Sequence, residues 1–276
     1  MRRLYSALKY VCIVALVISL IALVAVVAYV LINGVDKLSV ALLFGDYKDT
    51  PSILPAFIGT LQLVGIAAII AVPIGVASAI FLVEYTNNKG KFVKIVQVAT
   101  ETLAGIPSIV YGLFGYLIFV VTFGWGYSML AGGITLAIMI LPTIVRSTQE
   151  SLLSVQGGLR EGAYALGTSK VRTIFKIVLP SAAGGIVTAI ILAIGRVVSE
   201  SAVLLLTINM VVNKIPETLM SPGTSLALDI YYFASHGYPD EAAATAVVLL
   251  IFVMILNLLA GFIGNLIKKS TNGDTK

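Results

Sequence analysis

Residues 161–180 read EGAYALGTSKVRTIFKIVLP, a polar run in a chain that is otherwise oil. Leu152, Val155, Leu159, Ala163 and Leu166 recur at three- and four-residue steps, as do Val171, Ile174, Phe175 and Val178. The spacing predicts two short amphipathic helices. Gly167 suits a left-handed C-cap between them, Thr168 or Ser169 can cap the second, and Pro180 opens the next apolar run. Gly162 and Ala163 leave the first helix nearly bare, so another surface can approach closely. By pattern alone this is either a docking element or a helix resting on the membrane interface.

The side of the membrane on which the stretch lies follows from the rest of the chain. Of 276 residues, 59% are hydrophobic and 11% charged, with a mean hydropathy of +1.03. A soluble domain carries about a quarter charged residues, so this is an integral membrane protein. A bilayer core takes roughly 20 apolar residues per helix. Six runs qualify: Tyr10–Ile32, Ala56–Val83, Ile106–Phe123, Ala131–Val145, Ser181–Thr207 and Ala242–Ile267. Arg2 and Arg3 resemble the start of a signal peptide, but Tyr10–Ile32 is too long for its apolar region and reads as a retained anchor. Pro73 predicts tilt or a kink in the second run, and Pro142 lies near the end of the short fourth. Residues 95–105 read as a helix leading into the third run, bent at Pro107 after Gly105.

With the N-terminus inside, the inner segments hold Arg2, Arg3, Lys9, Lys89, Lys91, Lys94, Arg146, Arg160, Lys170, Arg172, Lys176, Lys268, Lys269 and Lys276. The outer loops hold only Lys37, Lys48 and Lys214. This asymmetry puts both termini and the 161–180 stretch in the cytoplasm. The expected divisions are an N-terminal helix and outer loop (1–55), a transmembrane core (56–267) with a cytoplasmic loop at 146–180, and a solvated tail (268–276).

Catalytic signatures are absent. No G-x-x-x-x-G-K-[ST] occurs, since Gly90-Lys91 runs into Phe92, and neither G-x-S-x-G nor H-E-x-x-H is found. Cys12 and His236 are single residues of their types, so no disulfide framework or Cys/His metal site can form. The expectation is a non-catalytic subunit that binds no cofactor and no nucleic acid, powered by a gradient or by a partner. In the fifth run Gly185, Ala189, Ala193, Arg196 and Glu200 share one helix face. An arginine or glutamate facing lipid would cost at least about 2.5 kcal/mol, so the face turns inward. Arg196 and Glu200 stand at i and i+4 and can pair. They are either a structural ion pair or part of a solute path, where an arginine fork suits an oxyanion.

Glu161, Ala163, Gly167, Ile177, Leu179 and Pro180 fill the pattern E-x-A-x3-G-x9-I-x-L-P. It resembles the EAA loop of bacterial ABC importer permeases, with Gly162 where that family usually has a second alanine. The resemblance implies a coupling helix, carried by Glu161, Gly162, Ala163, Gly167 and Pro180, seated in a cleft of a cytoplasmic ATPase. Leu103–Gly115, LAGIPSIVYGLFG, resembles a signature of phosphate importer permeases, and implies a gating or helix-break role for Gly105, Pro107, Ser108 and Tyr111. Gly112, Gly115 and Pro107 equally suit plain packing faces and a helix start. Gly195–Thr207, GRVVSESAVLLLT, resembles the G-R-x-x-G-E-T-A-P-L-L-x-T segment of PstA-type permeases; Ser199, Ser201 and Val203 depart from it and leave the charges intact.

That likeness, over about 55–207, implies the MetI-like all-helical core with the first span added at its edge. It implies a multi-pass protein of the bacterial plasma (inner) membrane, surrounded by lipid, with a PstC-like second permease. A dimer of PstB-like ATPases would hold the ATP and Mg, and a PstS-like phosphate-binding protein would sit outside. Energetics agree: a dianion entering a negative-inside cell works against about 2.3 kcal/mol per charge per 100 mV, so phosphate needs about 4–5 kcal/mol before any gradient. An importer of molybdate or sulfate would use the same parts. A gradient-driven carrier or channel would need repeats and a carboxylate cluster, and Glu101 and Glu200 are isolated.

Overall fold

The computed structural model describes residues 2–45, 47, 51–86 and 90–271, and their side chains between 9 and 267. Among these residues the secondary structure is helical throughout. In chain order the helices are α1 (Arg2–Gly34), α2 (Val40–Phe44), α3 (Leu54–Ile80), α4 (Lys91–Ala104), α5 (Ser108–Gly115) and α6 (Met129–Leu153). They continue with α7 (Gly157–Ala165), α8 (Lys170–Thr173), α9 (Leu179–Val198), α10 (Ala202–Thr207), α11 (Leu226–Ser235) and α12 (Pro239–Thr271). Five helical stretches among the described residues are long and apolar enough to span a bilayer, and a sixth if the bent pair α4–α5 is one span.

In lipid, helices gain nothing from hiding apolar surface, so they associate where small residues let backbones close up. On α3, Gly59, Leu63, Ala67, Ala71, Gly75 and Ala79 repeat every four residues and are all buried. This face lies along α6, where an added Cβ at Gly75 would come within 2.7 Å of the Ile144 side chain. Gly133 of α6 likewise receives Ile66. The central core gathers Leu63, Ala67 and Ala71 with Leu136, Ile140 and Ile144 of α6 and Ala193 and Val197 of α9. By contrast, the membrane-crossing window of α1 buries none of its residues. That helix touches α12 near Gly34, where a Cβ would collide with the Ala243 carbonyl, and Lys37 pairs with Asp240 at 2.7 Å.

Three boundaries differ from the sequence-based expectation. The fourth run does not stop at Val145: α6 passes through Pro142 and carries its polar end, RSTQESLL, to Leu153. Pro142 is buried within the bundle, where a membrane helix tolerates a proline. The fifth run does not begin at Pro180. Helix is continuous from Lys170 to Val198 through α8, a π-helical turn at Ile174–Val178 and α9. A π-turn just ahead of Pro180 is where the backbone can absorb a residue without an N–H. Nor does the fifth run reach Thr207: it ends at Val198, and after residues 199–201 the chain restarts as α10. α3 itself runs through Pro73, which sits on an exposed side, and ends in a π-turn, Phe81–Tyr85.

Loop 208–225 closes the end of the bundle where α6 begins. The first-turn amides of α6, which have no partner within the helix, are met by that loop. Met129 donates to the Ser221 carbonyl at 2.9 Å and Leu130 to the Leu219 carbonyl at 2.8 Å, while Ser128 caps Ala131. α11, between the fifth and sixth spans, carries a fully buried carboxyl, Asp229. Oδ1 of Asp229 accepts from the Thr224 hydroxyl, and Oδ2 meets no hydrogen-bond partner among the described residues.

Burial pushes the Asp229 carboxyl up to about 8. The folded chain therefore holds this proton more tightly than the unfolded one, whose aspartate titrates near about 3.9. The contribution is complete below the unfolded value and is lost as pH rises toward and through about 8. Thermal unfolding of the detergent-solubilised protein is expected to shift to lower temperature from pH 5 to pH 8. The Asp229→Asn variant should show a flatter profile over that range; an equal slope in both proteins would remove Asp229 as the cause.

Candidate coupling helix and solute path

α7 protrudes between the end of α6 and the start of α8. Its C-terminus is closed by a Schellman arrangement: Gly167 sits at φ +77°, its N–H reaches the Tyr164 carbonyl at 2.9 Å, and the Thr168 N–H reaches the Ala163 carbonyl at 3.2 Å. Only a residue without a Cβ adopts that φ cheaply. Ser169, not Thr168, caps α8 by accepting from Arg172 N–H, and the Thr168 hydroxyl instead binds the Ala163 carbonyl at 2.8 Å. Glu161 and Gly162 face outward, and a Cβ at Gly162 would meet nothing within 4 Å. Ala163 points the other way and is buried. Leu166, 85% exposed, and the half-open Tyr164 and Leu159 give the projecting face an apolar edge.

The amphipathic stripes predicted for this stretch are only partly realised. Because α6 ends at Leu153, Leu152 and Val155 do not share a helix with Leu159, Ala163 and Leu166; Leu152 is fully buried while Leu159 is exposed. In the second half the π-turn changes the phase, so Ile174 and Val178 are buried and Val171 and Phe175 are exposed. Pro180 lies within the continuous fifth helix rather than at its mouth.

Sequence patterns missed the residues that anchor α7. The Arg160 guanidinium donates through Nε and Nη2 to Glu84 Oε1 at 3.1 and 2.8 Å. It also donates through Nη1 to the Val155 carbonyl and through Nη2 to the Leu152 carbonyl, each at 2.9 Å. The Glu84 side chain is 6% exposed and that of Arg160 19%. Beside it, Lys170 Nζ stands 4.9 Å from the centre of the Tyr85 ring. No local signal links positions 76 residues apart; only the unusual placement of a glutamate at the end of an apolar run could have drawn notice.

Two helix breaks form a second constellation. α4 and α5 meet at 97° across residues 105–107. Gly105 ends α4 in ordinary right-handed backbone (φ −86°), Pro107 turns the chain at ψ 139°, and Ser108 begins α5. Tyr111, one turn on, is buried and donates its hydroxyl to the Leu103 carbonyl at 2.9 Å. That carbonyl also accepts the Ile106 N–H at 3.1 Å, so the two bonds together pin the bend at the end of α4. Gly112 packs directly on α10: a Cβ there would stand 3.0 Å from Val203 Cα and 3.1 Å from the Ala202 carbonyl oxygen. Gly115 does the same against Thr135.

The second break, residues 199–201, leads into α10, which packs on α5. Glu200 does not pair with Arg196: it is outside α9, and its Oε1 accepts the N–H groups of Ala202 at 3.0 Å and Val203 at 3.3 Å, capping α10. The i,i+4 geometry required for the pair ended when the helix stopped at Val198. Ser199 marks the stop, its hydroxyl turned back to the Gly195 carbonyl at 2.9 Å. Arg196 is exposed in the last turn of α9, forms no hydrogen bond or ion pair with any described residue, and lies within electrostatic reach of Tyr111. Ala189 and Ala193, on the same face, are buried. Of the residues expected on the path and at the gate, Arg196 and Tyr111 thus lie within electrostatic reach of each other, whereas the 161–180 stretch packs with a separate cluster around Ala79, Val83, Leu152 and Val178.

A helical membrane bundle with a capped helix projecting from it and a broken-helix core is the architecture of a transport subunit. Residues 71–273 match the family described as binding-protein-dependent transport system inner membrane component, and the chain belongs to that family. It is therefore a multi-pass, non-catalytic ABC transporter subunit that works with a partner ATPase and a solute-binding protein. It is 33% identical over 261 residues to the probable ABC transporter permease protein YqgI of Bacillus subtilis, a match covering 88% of each chain. It is 37% identical over 213 residues to the phosphate transport system permease protein PstA 1 of Mycobacterium tuberculosis, covering 75% of this chain and 69% of the relative. Among solved structures, a bacterial alginate ABC transporter in complex with a pentasaccharide-bound periplasmic protein superposes over 95% of each chain at TM-score 0.72 and 15% identity. The inward-facing MetNI methionine ABC transporter does so at TM-score 0.60 and 19% identity, over 78% of this chain and 94% of that one. These likenesses show the MetI-like fold.

The Tyr111→Phe variant is expected to lose about 1 kcal/mol of stability, the usual net worth of one hydrogen bond. Gly112→Leu, which forces a side chain into the α10 backbone, should destabilise markedly more. Unfolding of both variants in detergent, measured beside the parent, reads the difference.

Proposed function

We propose that the chain is the PstA-type permease subunit of an ATP-driven phosphate importer in the bacterial plasma membrane, with both termini in the cytoplasm. The Arg196 guanidinium, exposed just before the break at residues 199–201 and unpaired among the described residues, is the observation that carries the solute assignment. A cation with a planar fork of donors, within electrostatic reach of Tyr111, suits a tetrahedral oxyanion. Glu200 keeps that cation free by spending its carboxylate on the α10 cap. Relatives named as PstA phosphate permeases, such as that of Mycobacterium leprae at 42% identity over 153 residues, favour phosphate among oxyanions.

The assembly would contain this chain and a PstC-like permease, with the path between them. Two PstB-like ATPases would hold ATP and Mg, and one would grip α7 through the outward-facing Glu161 and Gly162, with Ala163 packed behind them and Gly167 setting the turn; no cofactor would bind this chain itself. A PstS-like protein would deliver phosphate from outside. The bend at Gly105, Pro107 and Ser108, pinned by Tyr111, would be the gate. Pro180 and its π-turn would let the fifth helix flex.

Vesicles holding the complete assembly should accumulate radiolabelled phosphate on addition of ATP, and sulfate and molybdate far less. Preferential uptake of either of the latter would reassign the solute. Arg196→Gln should abolish uptake while the ATPase still co-purifies, and Glu161→Lys should leave a folded chain that no longer transports. Normal transport by Arg196→Gln would end the role given to that arginine.

A further inference from the structure

We propose that Arg160 and Glu84 are the positioning pair that carries displacement of the coupling helix into the second span, so that α7 and the cytoplasmic ends of α3 and α6 move as one body. The inference rests on the coupling role of α7 and adds the route by which motion leaves it. One guanidinium fastens three helices. It belongs to α7, binds Glu84 in the π-turn that ends α3, and binds the Leu152 and Val155 carbonyls at the end of α6. A cation at a helix C-terminus also meets the negative end of its dipole.

Burial separates this contact from other ion pairs near the same end of the bundle. Arg146 pairs with Glu101 and Glu150 at 3.1 Å, but all three side chains are more than half exposed. Water can replace such contacts at little cost. The Arg160–Glu84 pair has no such substitute, because the glutamate is almost wholly enclosed. Separating α7 from α3 would strand a buried carboxylate. The link has a long lever to act on: Leu54–Tyr85 is 32 residues, about 48 Å of helix, well beyond a hydrocarbon core of about 30 Å. Its buried small-residue face lies along α6 through the core. On the other side of α7 the chain turns at Gly167, and Lys170 lies over Tyr85, the residue following Glu84. The same end of α3 therefore receives both flanks of the coupling loop.

The test is the number of solute molecules imported per ATP hydrolysed, in proteoliposomes holding this chain, its partner permease, the ATPase and the binding protein. Glu84→Gln and Arg160→Gln assemblies should retain the ATPase and hydrolyse ATP, while import per ATP falls by at least about tenfold, as loss of a buried charge partner warrants. Glu84→Cys with Arg160→Cys, on a Cys12→Ser background, should recover the ratio once a short bifunctional thiol reagent joins the two positions. A merely structural role would lower assembly and import together and leave the ratio alone. An unchanged ratio in the glutamine variants, or a joined complex whose ratio stays low, overturns the proposal. That decision holds even if the single variants assemble poorly, because the joined variant is measured by itself. Failure of the parent chain to retain any ATPase would instead strike at the coupling role of α7.

Discussion

The packing of α3 on α6 is the constraint from which the rest of the molecule follows. In water a helix pair is pressed together by its apolar surface; in lipid that pressure is gone and only close contact remains. Ala67, Ala71, Gly75 and Ala79 supply it by keeping one face of α3 low enough for α6 to lie against it. Ile144 and Ile66 fill the shallow places opposite Gly75 and Gly133. The fully buried membrane-depth side chains of Leu136 and Ile140 then give α9 a surface to meet at Ala193 and Val197. The helix breaks can sit beside this frame because the frame does not depend on them.

Irregular backbone inside a membrane needs partners for its polar groups. Both breaks find them locally. At residues 105–107 the Tyr111 hydroxyl takes the Leu103 carbonyl, and the Gly105 N–H bonds back to the Glu101 carbonyl at 3.2 Å. At residues 199–201 Glu200 takes two amides of α10, and the Ser199 N–H returns to Gly195. Gly112 lets α5 and α10, the helices that follow the two repaired breaks, pack backbone to backbone. The carboxylate that repairs one break is also the one the sequence would pair with Arg196, so the arginine is left open as a consequence of backbone accounting. Local satisfaction and an available cation are two sides of one arrangement.

Much of this was legible residue by residue. The spans announced themselves by length and hydropathy, the bend at Pro107 by its Gly-Ile-Pro, and the α7 turn by a glycine that does adopt a left-handed φ. What escaped has definite causes. Residues 181–207 are apolar throughout, and periodicity carries no mark of a helix that stops at Val198 and restarts four residues later. An i,i+4 charge pair presumes the helix continues, so Arg196 and Glu200 looked like partners. Pro180 looked like a helix start because proline usually is one, and a π-turn has no sequence period that reveals it. Glu84 and Arg160 lie in different segments, and nothing short of the fold brings them together.

The two constellations sit in different packing clusters, which raises the question of how one could inform the other. Val76 of α3 is packed against both clusters. Its neighbours Gly75 and Ala79 are buried on the face that meets α6 and α9, and the helix runs unbroken from the Glu84 end to the core. A rigid element spanning both clusters can transmit a displacement without any chain of switching side chains between them. α3 and the fifth helix each meet the coupling loop through a π-turn, Phe81–Tyr85 and Ile174–Val178, and each carries a proline, Pro73 and Pro180. Such features lower the cost of bending. The buried ion pair falls within the π-turn that ends α3, so the side chains that fasten the coupling loop also brace the turn through which α3 would otherwise give.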